Sequence, residues 1–182
     1  MPRLTPEIKE KIKNLTHTEL QQIVFKLATK DKMAHDFIMV NYLDKDYGEQ
    51  ELYDKAISDL DMLFVKGYRG YSEELRMANM LTACIRRINE FCKVSKNKKM
   101  EADLLVYILE EAFSLPASHF GTCFTAFDSK VAQIVKRLIT IVTKKLHEDY
   151  KIEYEGSINE YLRLLHTRSR HIDLVYNMPK II

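Results

Sequence analysis

Apolar residues recur every three or four positions along almost the whole chain of 182 residues. This spacing places apolar side chains on one face of successive α-helices, because an α-helix has about 3.6 residues per turn. Only five glycines and four prolines interrupt the pattern, so few positions favour the tight turns that join short strands. We therefore expect an all-α fold of about seven helices in a single domain, residues 1–182.

Capping residues predict where several helices begin. Thr5 precedes Pro6, a favoured first residue of a helix, and Thr16 lies three positions before Glu19, the spacing of a capping box. Ser72 precedes two acidic residues, which suit the positive end of a helix. The apolar positions after Thr16 predict a helical hairpin, with HEAT-like pairing of helices at the N-terminal end.

Glycines and prolines predict the breaks between helices. Gly48 indicates a turn, and residues 66–72 indicate a hinge between an N-terminal and a C-terminal group of helices, since they hold two glycines. The last helix is expected to follow Gly156 and to stop at Pro179. The β-branched run 138–142 could form a strand in isolation, but the helical period on both sides predicts a helix.

Charge is unevenly distributed, although the net charge is only +2. Residues 44–61 hold seven acidic and two basic side chains, whereas residues 86–99 hold six basic side chains and one acidic one. Such stretches can attract each other or an external partner, although solvated helix faces are the commoner explanation. The basic stretch supplies candidate binding residues for a polyanion: Arg86, Arg87, Lys93, Lys96, Lys98 and Lys99.

A polar interruption marks the last helix. Its apolar period predicts an apolar residue near position 168 or 169, where Arg168 and Ser169 stand. A polar side chain on a core face must be paired or must open onto a groove. Structural pairing is the simpler interpretation, and a ligand-binding Arg168 is the alternative.

No histidine pattern predicts a metal site. His147-Glu148 begins like a helical zinc motif, but Lys151 stands where the second histidine would be needed. His166 and His171 are five positions apart, which points them about 140° away from each other on a helix. We predict no metal, no cofactor and no catalytic residue.

The three cysteines are expected to be unpaired. Cys84 and Cys92 fall on an apolar stripe, which is typical of inert core thiols. Cys123 lies in the aperiodic segment 114–129, four residues after His119, but no third catalytic residue accompanies them. Loop packing is therefore the interpretation that we favour for this segment.

Composition indicates where such a protein works. No run approaches the roughly 18 apolar residues of a membrane-spanning helix, and the first seven residues contain no apolar stretch long enough for a signal peptide. With an odd number of cysteines, the sequence is typical of a reduced, cytoplasmic protein without membrane contact.

Residues 16–44, together with residues 47–52, resemble the start of small all-helical bacterial proteins of unknown function. The resemblance covers about the first third of the chain and rests on helical spacing and a few charged turns. It implies an all-helical fold and carries no specific activity.

A complete helical pattern without catalytic motifs predicts a non-catalytic scaffold or adaptor that binds another macromolecule, in the first place a protein. A nucleic-acid-binding protein that uses the basic helix surfaces is the alternative, and an enzyme without a recognisable motif is third. Self-association is compatible with each of these.

Overall fold

The computed structural model describes residues 4–182, except for the side chains of residues 45–47. Over this range the protein is helical and contains no strand, which confirms the predicted all-α class. The α-helices of the described residues are α1 (Pro6–Lys13), α2 (His17–Lys30), α3 (Lys32–Ile38), α4 (Lys45–Val65), α5 (Glu73–Val94), α6 (Lys98–Ser114), α7 (Ala126–Lys145), α8 (Glu148–Arg168) and α9 (Asp173–Tyr176). A π-helical turn follows α3 (Met39–Leu43), and a 3₁₀ turn follows α6 (Ala117–His119).

The chain divides into two units, residues 1–49 and residues 50–182, so that the boundary falls within α4. In the first unit, the predicted capping box of α2 is confirmed, because Thr16 accepts a hydrogen bond from the Glu19 amide and Glu19 accepts one from the Thr16 amide. Asp31 alone separates α2 from α3 and caps α3 through the amides of Met33 and Ala34. The two helices contact each other.

Almost none of the described side chains of the first unit is buried. Among its described side chains, only Val40 is buried. The apolar positions of α1, α2 and α3 are instead exposed or half-exposed to solvent. The periodic stripe of this segment is thus present in the helices but is not covered.

The second unit is built around α7, which contacts α5, α6, α8 and α9. Eight apolar residues of α7 are buried: Phe127, Val131, Ala132, Ile134, Val135, Leu138, Ile141 and Val142. The prediction that residues 138–142 are helical is confirmed. Helix α4 joins this unit through its side chains, for example through the edge-to-face contact of Tyr53 with Phe91 of α5.

Three predicted helix boundaries are wrong. Gly48 lies inside α4, and Gly156 lies inside α8, which begins eight residues earlier after the capping residue His147. A lone glycine costs a helix only about 1 kcal/mol, which burial of Tyr154 and Ile158 on either side of Gly156 offsets. The last helix is also shorter than expected, because α8 ends at Arg168 and the separate helix α9 follows.

The segment 66–72 lies within the second unit and joins α4 to α5. The Tyr68 hydroxyl donates to the Leu63 carbonyl at 3.0 Å, and the Asn79 amide group donates to the Arg69 carbonyl at 2.9 Å. Gly70 approaches the start of α5 so closely that a Cβ there would lie 3.0 Å from the Arg76 amide nitrogen. The segment is therefore fastened to both helices, and its role as a hinge stays a prediction.

A buried carboxylate joins three segments at one end of α7. Asp128 has no exposed surface, and its Oδ1 accepts hydrogen bonds from the Gly121 amide at 3.0 Å and from the Ser169 hydroxyl. Gly121 has a φ of +74°, and a Cβ there would come within 2.6 Å of the Arg168 carbonyl oxygen. The polar turn at 168–169 is thus the end of α8, where Ser169 is buried and paired.

We predict that Asp128→Ala destabilises the protein by about 1–3 kcal/mol, because the Ser169 hydroxyl and the Gly121 amide both lose their acceptor. Urea unfolding followed by circular dichroism measures this change. The matched control is Glu155→Ala on the exposed face of α8, which should have little effect. Equal midpoints for the two variants would show that Asp128 does not hold these segments together.

Candidate functional site

The predicted basic residues lie on two helices and the loop between them. Arg86, Arg87 and Lys93 are on α5, Lys96 is in the connecting loop, and Lys98 and Lys99 open α6. Arg86, Lys93 and Lys96 are exposed to solvent, whereas the other three are partly buried. The six side chains therefore do not form one uniform surface.

The partly buried cations hold ion pairs within the second unit. Arg87 Nε lies 2.6 Å from Asp59 Oδ2, which links the basic helix α5 to the acidic helix α4. Lys98 Nζ lies 2.5 Å from Glu101 Oε2. Part of the charge asymmetry in the sequence is thus an attraction between elements of the same unit.

Glu101 is the central acid of this region. Its buried carboxylate also receives the guanidinium of Arg137 from α7, with Nη2 at 2.7 Å and Nε at 3.1 Å from Oε1. Arg137 Nη1 donates to Asn89 Oδ1 on α5 at 2.8 Å. Burial raises the pKa of Glu101, but the hydrogen bonds and charges of Lys98 and Arg137 outweigh burial and hold this pKa below its ordinary value.

Lys99 belongs to a second polar cluster. Its ammonium group lies 3.1 Å from Glu153 and 3.5 Å from Asp103, and within 6 Å of the ring centres of Tyr150 and Tyr154. The Tyr154 hydroxyl donates to Asp103. Burial and this hydrogen bond raise the pKa of Tyr154, so the phenol stays protonated at neutral pH.

Arg168 lies at the end of α8 against an aromatic stack. Its guanidinium carbon is 5.4 Å from the centre of the Phe120 ring, a cation–π distance. Phe120 stacks on Phe113, and Phe113 stacks on Tyr161. Arg168 Nη1 is buried and has no hydrogen-bond partner among the described residues. The role of Arg168 as a ligand-binding residue stays a prediction.

The cysteines differ in their surroundings. Burial raises the pKa of Cys84 to about 12 and, together with the charge of Glu101, raises the pKa of Cys92 to about 11. Both thiols are therefore protonated at neutral pH and are poor nucleophiles. Cys123 is exposed in the loop before α7.

Among the side chains that the structure describes, no group of three or more histidine, cysteine, aspartate or glutamate residues is arranged to hold a metal ion. No helix in the described part of the chain combines the length and apolar character needed to cross a membrane.

The first unit presents apolar side chains to solvent on each of its first three helices. On α2 the exposed set follows the helical period predicted from the sequence: Ile23, Val24 and Leu27. Leu27 is 52% exposed, and Phe25 on a neighbouring face is 67% exposed. Ile8 and Ile12 of α1 add a further i, i+4 pair. The sequence predicted the helical spacing of these apolar residues but did not predict that they are exposed to solvent.

The surface cavities of the second unit include two that are lined by both charged and apolar or aromatic side chains. One, of about 310 Å³, lies beside the segment 66–72 and is lined by apolar side chains together with two basic and two acidic ones, so that its charges balance: Phe64, Lys66, Gly67, Tyr68, Glu73, Arg76, Met77, Met80, Glu111 and Leu115. The other, of about 530 Å³, is lined by His166, Arg170, Tyr176, Met178 and Lys180. Sequence reasoning did not bring these five residues together, because no periodic pattern connects α8 with the residues after α9.

Comparisons of the chain with known protein families, with curated proteins and with solved structures found no match. The similarity of its first third to small helical bacterial proteins therefore stays a prediction.

We predict that Arg137→Met destabilises the protein by about 1–3 kcal/mol at pH 7, because it removes one of the two cations that neutralise the buried Glu101. Thermal or urea unfolding measures the difference from the unsubstituted protein. Arg163→Met is the control, because Arg163 pairs with Glu160 on an exposed face of α8 and should contribute little.

The effect of Arg137→Met should depend on pH. The lowered pKa of Glu101 means that its stabilising contribution is present above the pKa of an unfolded glutamate and is lost as pH falls through the folded-state pKa. In the variant, burial favours protonation of Glu101 at a higher pH. The difference in free energy of unfolding between the unsubstituted protein and Arg137→Met should therefore become smaller as the pH falls from 7 to 4. If that difference stays constant, the effect of Arg137 does not depend on the charge of Glu101.

Proposed function

We propose that this protein is a non-catalytic helical scaffold or adaptor that binds another protein. The observation that carries the proposal is the exposed apolar surface of α1, α2 and α3 in the first unit. Contiguous apolar surface that is edged by polar side chains is typical of protein-interaction sites. An amphipathic helix that lays its apolar face into a groove of a partner is a common form of such recognition.

The lengths of these helices support the same proposal. Helices α1, α2 and α3 have 8, 14 and 7 residues. Isolated helices shorter than about 12–15 residues are marginal in water, and most helices gain their stability by burying an apolar face. With one buried side chain among those described, the first unit would gain stability from a partner that covers this surface.

Nucleic-acid binding is the second candidate. Arg86, Lys93 and Lys96 are exposed, and no ion pair is found for them among the described side chains. Lys98 and Lys99 are less suitable contacts, because their charges are already used by Glu101 and Glu153. This candidate therefore depends on fewer cations than the sequence suggested.

We predict that Ile23→Ser combined with Leu27→Ser abolishes binding of the protein partner, because the pair removes apolar area from the exposed face of α2. Affinity capture from native lysate with quantitative mass spectrometry measures retention of each partner. The control is Gln22→Ser with Lys26→Ser, which places two serines at exposed polar positions about 100° further around α2. Light scattering with size-exclusion chromatography tells whether the partner is a second copy of the chain.

If both pairs of substitutions retain the same partners, or if the unsubstituted protein captures none, the proposal that the protein is an adaptor fails.

For the second candidate, we predict that Lys93→Glu with Lys96→Glu weakens binding to RNA or DNA probes. The plot of log affinity against log salt concentration should become less steep by about two. The control with equal change of charge is Lys9→Glu with Lys11→Glu in the first unit. Equal binding by both pairs would exclude the basic stretch as a nucleic-acid site.

A further inference from the structure

The residues that follow α9 fold back along α8. His166 Nε2 lies 3.2 Å from the Pro179 carbonyl oxygen, and the Ile182 amide donates to Asn159 Oδ1 at 2.9 Å. Since a carbonyl oxygen only accepts, His166 donates its Nε2 proton in this bond. Lys180 lies between these two attachment points, so the backbone that carries it is held beside α8.

The cavity between α8 and this returning segment is cationic. Its lining contains Arg170, Lys180 and His166 and no acidic side chain. Neither Arg170 nor Lys180 forms an ion pair within the described residues, in contrast to Arg87, Lys98 and Arg137. The C-terminal end of α8 contributes only about half a negative charge, which the two permanent cations exceed.

The rest of the lining is apolar or aromatic. Tyr176 lines the cavity and is 69% exposed, so it is accessible to a ligand, and Met178 forms a buried part of the wall. The cavity volume of about 530 Å³ is within the range of small-molecule sites. Convergent cations next to an open aromatic ring suit a ligand that has an anionic group at one end and a planar or apolar group at the other.

We propose that this cavity binds a small ligand that carries a phosphate group. Arg170 supplies a planar guanidinium, which can donate two parallel hydrogen bonds to phosphate oxygens, and Lys180 supplies a point charge beside it. Tyr176 stacks on the remaining part of the ligand. The site lies in the second unit and uses none of the residues proposed to bind a protein, so either proposal can fail without the other.

Isothermal titration calorimetry of the whole chain with pyrophosphate and with AMP tests the proposal. We expect saturable binding of one equivalent of both probes, with a dissociation constant below 1 mM, and at least tenfold weaker binding to Arg170→Gln with Lys180→Gln. The control Lys9→Gln with Lys11→Gln removes the same charge from the exposed helix α1 and should bind as the unsubstituted chain does. Tyr176→Ala should weaken AMP binding several-fold and should leave pyrophosphate binding unchanged.

Several results would overturn the proposal: no saturable binding of either probe, equal weakening by the control pair, or binding of sulfate as tight as that of pyrophosphate. Binding of an RNA oligonucleotide alone would overturn it as well, because the site would then recognise a polymer. A second measurement on the unsubstituted protein does not depend on the folding of any variant. In nuclear magnetic resonance spectra, pyrophosphate should shift the amide signals of Arg170 and Lys180 and leave those of Lys9 and Lys11 in place.

Discussion

Burial of α7 is the interaction on which the second unit depends. Its apolar side chains are covered by α5, α6, α8 and α9, so the removal of this one helix from water requires the correct placement of four others. Hydrophobic burial has no preferred direction. Polar contacts at the start and in the middle of the helix supply direction: Asp128 fixes the first turn of α7 against the end of α8, and Arg137 fixes its middle against Glu101.

The basic stretch shows how a charge pattern in a sequence can have a structural cause. Lys98, which precedes Glu101 in the sequence, and Arg137, which follows it, both form ion pairs with the Glu101 carboxylate. Lys99 forms an ion pair with Glu153 of α8. A buried carboxylate without such partners would be strongly destabilising. Three of the six cations in the basic stretch therefore form ion pairs with other helices of the second unit or within α6. The three exposed cations are the ones that could contact an external partner.

The features predicted correctly from the sequence are those that local spacing determines. The caps at Thr16 and Ser72 and the helical state of residues 138–142 depend on residues within one or two turns. The sequence did not predict the start of α8, because the free-energy cost of Gly156 in a helix is small compared with the gain from burying the side chains around it. The partners of Arg137 were missed as well, because they lie 36 and 48 residues away in the sequence. For the same reason no pattern placed Lys180 beside α8, where the returning chain brings it.

Because only one described side chain of the first unit is buried, this unit has distinctive kinetics. Local opening of a segment requires little free energy when few apolar contacts must be broken. A partner that covers α1–α3 then also restricts their conformational entropy, which lowers the affinity obtained from a given contact area. Such a complex would dissociate quickly even when its contact surface is large. The proposed adaptor would therefore be suited to exchange partners.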